Sequence, residues 1–177
     1  SGTYHFVIED DRCIYYDSVT LLQPDSLYVI LDADTSLSCR GELTLINAIV
    51  TGGSGIDYVS WDTGNPADTN LQLIASAGDY TISVFDNNGC MSYSSIIITE
   101  PDSLIAVLSF DAGWCNNLGT ASIDVTGGTS PYGYIWSTGD TILNIDNLNV
   151  GEYWVLVTDA CGDIVTDTFS IYPYELS

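Results

Sequence analysis

One block of sequence is written three times along this chain, and that repetition limits the fold more than any other feature. Gly2, Gly78 and Gly151 are each followed by a tyrosine two residues on (Tyr4, Tyr80, Tyr153) and an aspartate eight residues on (Asp10, Asp86, Asp159). Side chains alternate between those landmarks. A tandem array must be built from one small unit used repeatedly, so each unit has to bury a core of its own.

Other landmarks measure the period. Pro24-Asp25-Ser26-Leu27 returns as Pro101-Asp102-Ser103-Leu104, and a degenerate third copy falls at Pro173-Tyr174-Glu175-Leu176. Cys39 matches Cys115, Gly52-Gly53 matches Gly127-Gly128, and Trp61 matches Trp136. The spacing drifts only in polar stretches, where loops absorb insertions. Three units follow: residues 1–24 as the last third of a repeat, 25–101 as a full repeat and 102–177 as another. Because the first copy opens in mid-repeat, the chain is expected to be an excerpt of a longer array. Strands supplied by another molecule, which would give a non-covalent fibre completed by strand addition, are the alternative.

Within each unit the period is two. Tyr80, Ile82 and Val84 share one face of a strand, as do Tyr153, Val155 and Val157, and Tyr4, Phe6 and Ile8. Glycine pairs and Asn88-Gly89 punctuate these runs, and no stretch has helical spacing. Seven or so short strands per unit indicate an all-β protein of tandem immunoglobulin-like antiparallel β-sandwich repeats. Tyr4, Tyr80, Tyr153, Trp61 and Trp136 recur in register, as core residues do. The tyrosines fit a tyrosine corner entering strand F, and the tryptophans fit the third strand. Trp154 lies on the face opposite Tyr153 and is expected at an interface.

The run Gly127-Gly-Thr-Ser-Pro-Tyr-Gly-Tyr-Ile-Trp-Ser-Thr-Gly139, with Asn147-Leu-Asn-Val-Gly-Glu-Tyr153 and Val157-Thr-Asp159, resembles the SprB-type repeat. The middle unit is similar but looser. That resemblance, to surface adhesins of gliding Bacteroidota and to PKD-like modules, extends over nearly the whole chain. It implies a stalk segment of a large adhesin filament on the cell surface, associated with the outer membrane, serving attachment or gliding motility and exported by type IX secretion. In the last unit Cys161 precedes Gly162, whereas the family order is Asn-Gly-Cys, as in Asn88-Gly89-Cys90.

Charge narrows the partners. The chain has no lysine, two arginines and 24 acidic residues, a net charge of −22. Such a surface repels nucleic acid and anionic lipid, so neither is expected as a partner. No apolar run is long enough to insert into a membrane as a helix. The remaining candidates are neighbouring repeats, identical filament subunits and surface polysaccharide, the last recognised by exposed aromatics such as Trp154.

Five cysteines sit at two repeated positions. Cys39 and Cys115 fall early in their units, while Cys13, Cys90 and Cys161 follow the Gly-x-Tyr strand. No CxxC or Cys/His cluster suggests a metal, so disulfides in an oxidising compartment are expected. Pairing within units gives Cys39–Cys90 and Cys115–Cys161. Strands of about six residues, however, separate the two ends of a sandwich by roughly 20 Å, beyond disulfide reach. Pairing between successive units gives Cys39–Cys161 instead, and in either scheme Cys13 pairs outside the segment.

Enzymatic chemistry finds little support in one histidine (His5), no lysine and no nucleophile motif. No cofactor is expected, with Ca²⁺ as the one candidate. Asp32, Asp34, Asp86 and Asp159 fall near turns where oxygen-rich clusters can hold calcium. Asp32–Leu43 nevertheless lacks the glycine and glutamate of an EF-hand loop, and aspartates favour turns for local reasons alone.

Overall fold

The structure, a computed structural model, describes residues 1–113 and 118–173. Cys115 and most of the degenerate Pro173–Leu176 motif lie outside those residues. The described chain is all-β, its strands arranged in small antiparallel sheets. By spatial contact it divides into two compact units. One comprises Ser1–Ala33, Leu45–Ile74 and Asp79–Ile97; the other comprises Asp34–Thr44, Ala75–Gly78 and Ile98–Ser177.

The second unit shows how the repeat folds. Strands β9 (Ile105–Asp111), β10 (Gly119–Thr126) and β12 (Asn144–Leu148) form one sheet in the order β12-β10-β9. Strands β11 (Gly133–Trp136), β13 (Gly151–Thr158) and β14 (Ile164–Ile171) form the other, in the order β11-β13-β14. Lettered by chain order, these are E-B-A and C-F-G, the strand order of an immunoglobulin-like sandwich without its D strand. Period-two patterning supplies the core: Ala121 and Ile123 from β10, Ile145 and Leu148 from β12, Trp136 from β11, Val155 and Val157 from β13, and Phe169 and Ile171 from β14. Trp136 meets Phe169 edge to face, with ring centroids 6.4 Å apart. Its indole N–H donates to the Ile142 carbonyl at 2.8 Å, so its polar atom is satisfied where the ring is buried.

The first unit repeats that order. Strands β3 (Tyr28–Asp32), β4 (Thr44–Thr51) and β6 (Gln72–Ala75) make the sheet β3-β4-β6; β5 (Ile56–Trp61), β7 (Gly78–Asp86) and β8 (Met91–Ile98) make β5-β7-β8. Val29, Ile46 and Ala48 are buried on the first sheet, and Val59, Trp61, Ile82 and Val84 on the second. Trp61 donates its indole N–H to Asn70 O at 2.8 Å, matching Trp136. Among the described residues each repeat thus has six strands rather than seven or so. Between β5 and β6 the chain makes local turns instead, with the Ala67 N–H on Asn65 Oδ1 and Gly64 at φ 76°.

Two repeated motifs meet in each unit. The N–H of Gly53 donates to Asp25 O, and that of Gly128 to Asp102 O, both at 2.8 Å. The preceding glycines, Gly52 and Gly127, have φ 70° and 65°, and a Cβ at either would overlap the Ser26 or Ser103 carbonyl. The Pro-Asp-Ser-Leu and Gly-Gly motifs therefore recur together because one needs the other's backbone this close.

Strands β1 (Gly2–Glu9) and β2 (Ile14–Leu21) pair as a hairpin within the first unit, and no third strand among the described residues joins their sheet. The core role expected for Tyr4 does not hold there. Its side chain is 57% exposed, because the hairpin has no opposing sheet among the described residues.

Candidate functional site

The chemistry of the second unit gathers around the segment Asp34–Thr44, which by sequence period precedes the repeat it folds with. Thr35 O accepts the Thr99 N–H, and Leu37 donates its own N–H back to Thr99 O, both at 2.9 Å. Leu37 is buried, which anchors this short parallel bridge. The chain then turns: Glu42 Oε2 accepts the N–H groups of Ser38 and Cys39 at 3.0 and 3.1 Å. Glu100 holds the tip by accepting the Gly41 N–H at 2.7 Å. Its second oxygen lies 3.9 Å from Arg40 Nε, a half-exposed ion pair that adds little stability.

From the opposite side, Thr129 Oγ1 donates to Ser38 O at 2.7 Å. A disulfide then joins Cys39 to Cys161, with 5.6 Å between their Cα atoms. Of the two pairings left open by the sequence, this is the one between successive repeats. Cys13 and Cys90 carry free, exposed thiols.

The turn bearing Cys161 is set by a buried aspartate. Asp159 directly follows β13 and is only 8% exposed. Its Oδ2 accepts the Thr129 N–H, and its Oδ1 accepts those of Cys161 and Asp163, all at 2.9 Å. The Thr129 N–H is the main cause holding its pKa below the usual carboxylate value; burial pulls the other way, and the turn N–H groups add to the lowering. Asp86 repeats the device with N–H groups from Ser54, Asn88 and Cys90. Burial, the largest influence there, favours the neutral acid, but the N–H groups together outweigh it and the pKa is again lowered. Asp10 makes the shorter version, accepting from Arg12 and Cys13 through one oxygen alone.

Asp86 and Asp159 were visible in the sequence as weak calcium candidates, yet their oxygens face backbone N–H donors. Asp32 ends β3 exposed, and Asp34 Oδ1 accepts the Ser36 N–H at 3.2 Å. Among the described residues no three His, Cys, Asp or Glu side chains cluster to hold a metal ion. The tyrosine corner is present in the second unit, where Tyr153 OH donates to Asn149 O at 2.9 Å and its ring stacks on Phe169. Tyr80 is half-buried at the matching position. Trp154 is 44% exposed.

No protein-family model matches this chain, and no curated protein matches it. Among solved structures it is similar to the N-terminal eight immunoglobulin domains of Down syndrome cell adhesion molecule, with TM-score 0.46 and 17% identity over 96% of this chain. The chain spans 27% of that structure's length. It is also similar to the amphioxus IgVJ-C2 molecule, with TM-score 0.37 and 10% identity over 97% of each chain.

Proposed function

We propose that this chain is a stalk segment of a large extracellular adhesin filament, of the SprB type, whose work is to transmit tension along an array of sandwich repeats. The observation that carries this reading is the Cys39–Cys161 disulfide. It ties a residue of the 25–101 period to one of the 102–177 period. Force applied to the two ends passes through the sulfur–sulfur bond, and the 121 residues between the cysteines are bypassed. Short proline-containing joints such as Glu100-Pro101-Asp102 suit the same purpose. A disulfide also belongs with an oxidising, extracellular setting. The partners in this reading are neighbouring repeats, within the same long chain or in identical filament subunits.

An antibody raised against this segment tests the proposal on cells of the source organism. Labelling of intact cells, with the antigen migrating far above 19.1 kDa on a reducing gel, is the expected result. Antigen confined to the cell interior contradicts it.

The exposed ring of Trp154 favours one second reading, a polysaccharide-binding module. A glycan array decides it: that reading requires specific binding that disappears in Trp154→Ala.

A further inference from the structure

Strands β1 and β2 pair in the same register as β13 and β14. Gly2 faces Leu21, Tyr4 faces Val19, Phe6 faces Asp17 and Ile8 faces Tyr15. In the other hairpin Gly151 faces Ile171, Tyr153 faces Phe169, Val155 faces Asp167 and Val157 faces Val165. Large apolar residues and the aspartate coincide position by position, but their surroundings differ. Val155 and Val157 are fully buried, within a cluster that includes Ala121, Ile123, Trp136, Ile145 and Leu148. Phe6 and Ile8 are 43% and 58% exposed, and Val19 and Leu21 are 48% and 54% exposed. A lone two-stranded ribbon is marginally stable in water, and a contiguous apolar face of this kind marks an interaction surface.

We propose that the Tyr4–Phe6–Ile8 and Val19–Leu21 face is a docking surface whose occupant is the A-to-E half of another repeat of this kind. That half is a three-stranded sheet ordered like β12-β10-β9, together with a tryptophan-bearing strand like β11 along the free edge of β1. Two further observations select it. Strand β13 lies between β11 and β14, whereas among the described residues β1 pairs with β2 alone, so β1 presents an open edge where a C strand belongs. Asp10 also has an oxygen to spare. Asp86 and Asp159 each use Oδ2 to accept an N–H from the turn after the Gly-Gly motif, at Ser54 and Thr129. Both N–H groups on Asp10 reach Oδ1, leaving Oδ2 for the corresponding turn of the incoming half. A second copy of the described strands has no spare half to offer, since each of its A-to-E sets already accompanies its own F–G hairpin. The occupant is therefore a half-repeat without a hairpin. This inference rests on the repeat pattern and does not depend on the stalk reading, which is tested on cells.

The test joins residues 25–76, the A-to-E half of the middle repeat, ahead of Ser1 of the full chain, and follows amide hydrogen exchange in β1 and β2. A second version uses residues 102–150. Protection across residues 2–21 is expected to rise by roughly tenfold or more over the unextended chain in at least one version, and to fall back with Phe6→Asp. A change below about twofold in both versions overturns the proposal, as does protection that survives Phe6→Asp.

Discussion

Cys39 and Cys161 stand 122 positions apart in sequence and are joined by a disulfide with their Cα atoms 5.6 Å apart. The bond closes a long loop, and long loops lose the most entropy in the unfolded chain when they are tied. Replacing both cysteines with serine is expected to destabilise the second unit by about 2–5 kcal/mol. Chemical denaturation with and without a reducing agent measures the same quantity on the unaltered chain, and Cys39→Ser/Cys161→Ser should remove the difference.

Acid should weaken the fold through the buried aspartates. Asp159 and Asp86 have folded pKa values below the unfolded value of about 3.9. A depressed carboxylate contributes stability above its unfolded pKa and loses it as pH falls through the folded pKa. Melting temperature is therefore expected to fall below about pH 4. Asp159→Asn keeps the shape but removes the charge-assisted acceptor. It should lower the melting temperature by roughly 5 °C or more at neutral pH and flatten the acid limb. An acid limb as steep as before in Asp159→Asn would assign the effect to other carboxylates.

Trp136 and Trp154 should behave differently although both lie in strands of one sheet. Trp136→Ala empties a core position with the ring fully enclosed and is expected to cost about 3–5 kcal/mol. Trp154→Ala removes a ring 44% exposed and should change stability by less than about 1 kcal/mol. Equal losses would place Trp154 in the core.

Gly127→Ala is expected to destabilise by about 1–3 kcal/mol or more, because φ is 65° and the new methyl meets the Ser103 carbonyl. Gly139→Ala is the control. Its φ is 91°, but nothing lies within 4 Å of the added carbon, so the cost is that of the backbone alone, about 1 kcal/mol. Thermal melts of the two variants side by side separate steric overlap from conformational preference.

Much of this was legible in the sequence because it is periodic. Alternation at Ile82–Val84 and Val155–Val157 defines an inner face without any knowledge of the partner sheet, and Trp61 and Trp136 mark the same strand in both repeats. The tyrosine corner at Tyr153 follows from local spacing for the same reason. Long-range geometry was legible only in part, with Cys39–Cys161 as one of two open pairings. Nothing local to Cys39 indicates that Asp34–Thr44 folds with the second unit; that depends on Thr99, Glu100 and Thr129, far along the chain. Asp86 and Asp159 resembled solvated turn residues because sequence gives residue type, whereas burial comes from the whole sandwich. Tyr4 shows the converse. Its strand carries the core pattern, but a pattern buries nothing until a second sheet arrives.

Stretching the chain end to end with a single-molecule force instrument tests the central claim most directly. If tension bypasses the residues between Cys39 and Cys161, full unfolding of the oxidised chain releases less contour length than unfolding of the reduced chain. At about 3.3–3.6 Å per residue, a span of 122 positions makes that difference about 400 Å. The account predicts that shortfall, and its disappearance on reduction. Equal lengths before and after reduction would contradict it.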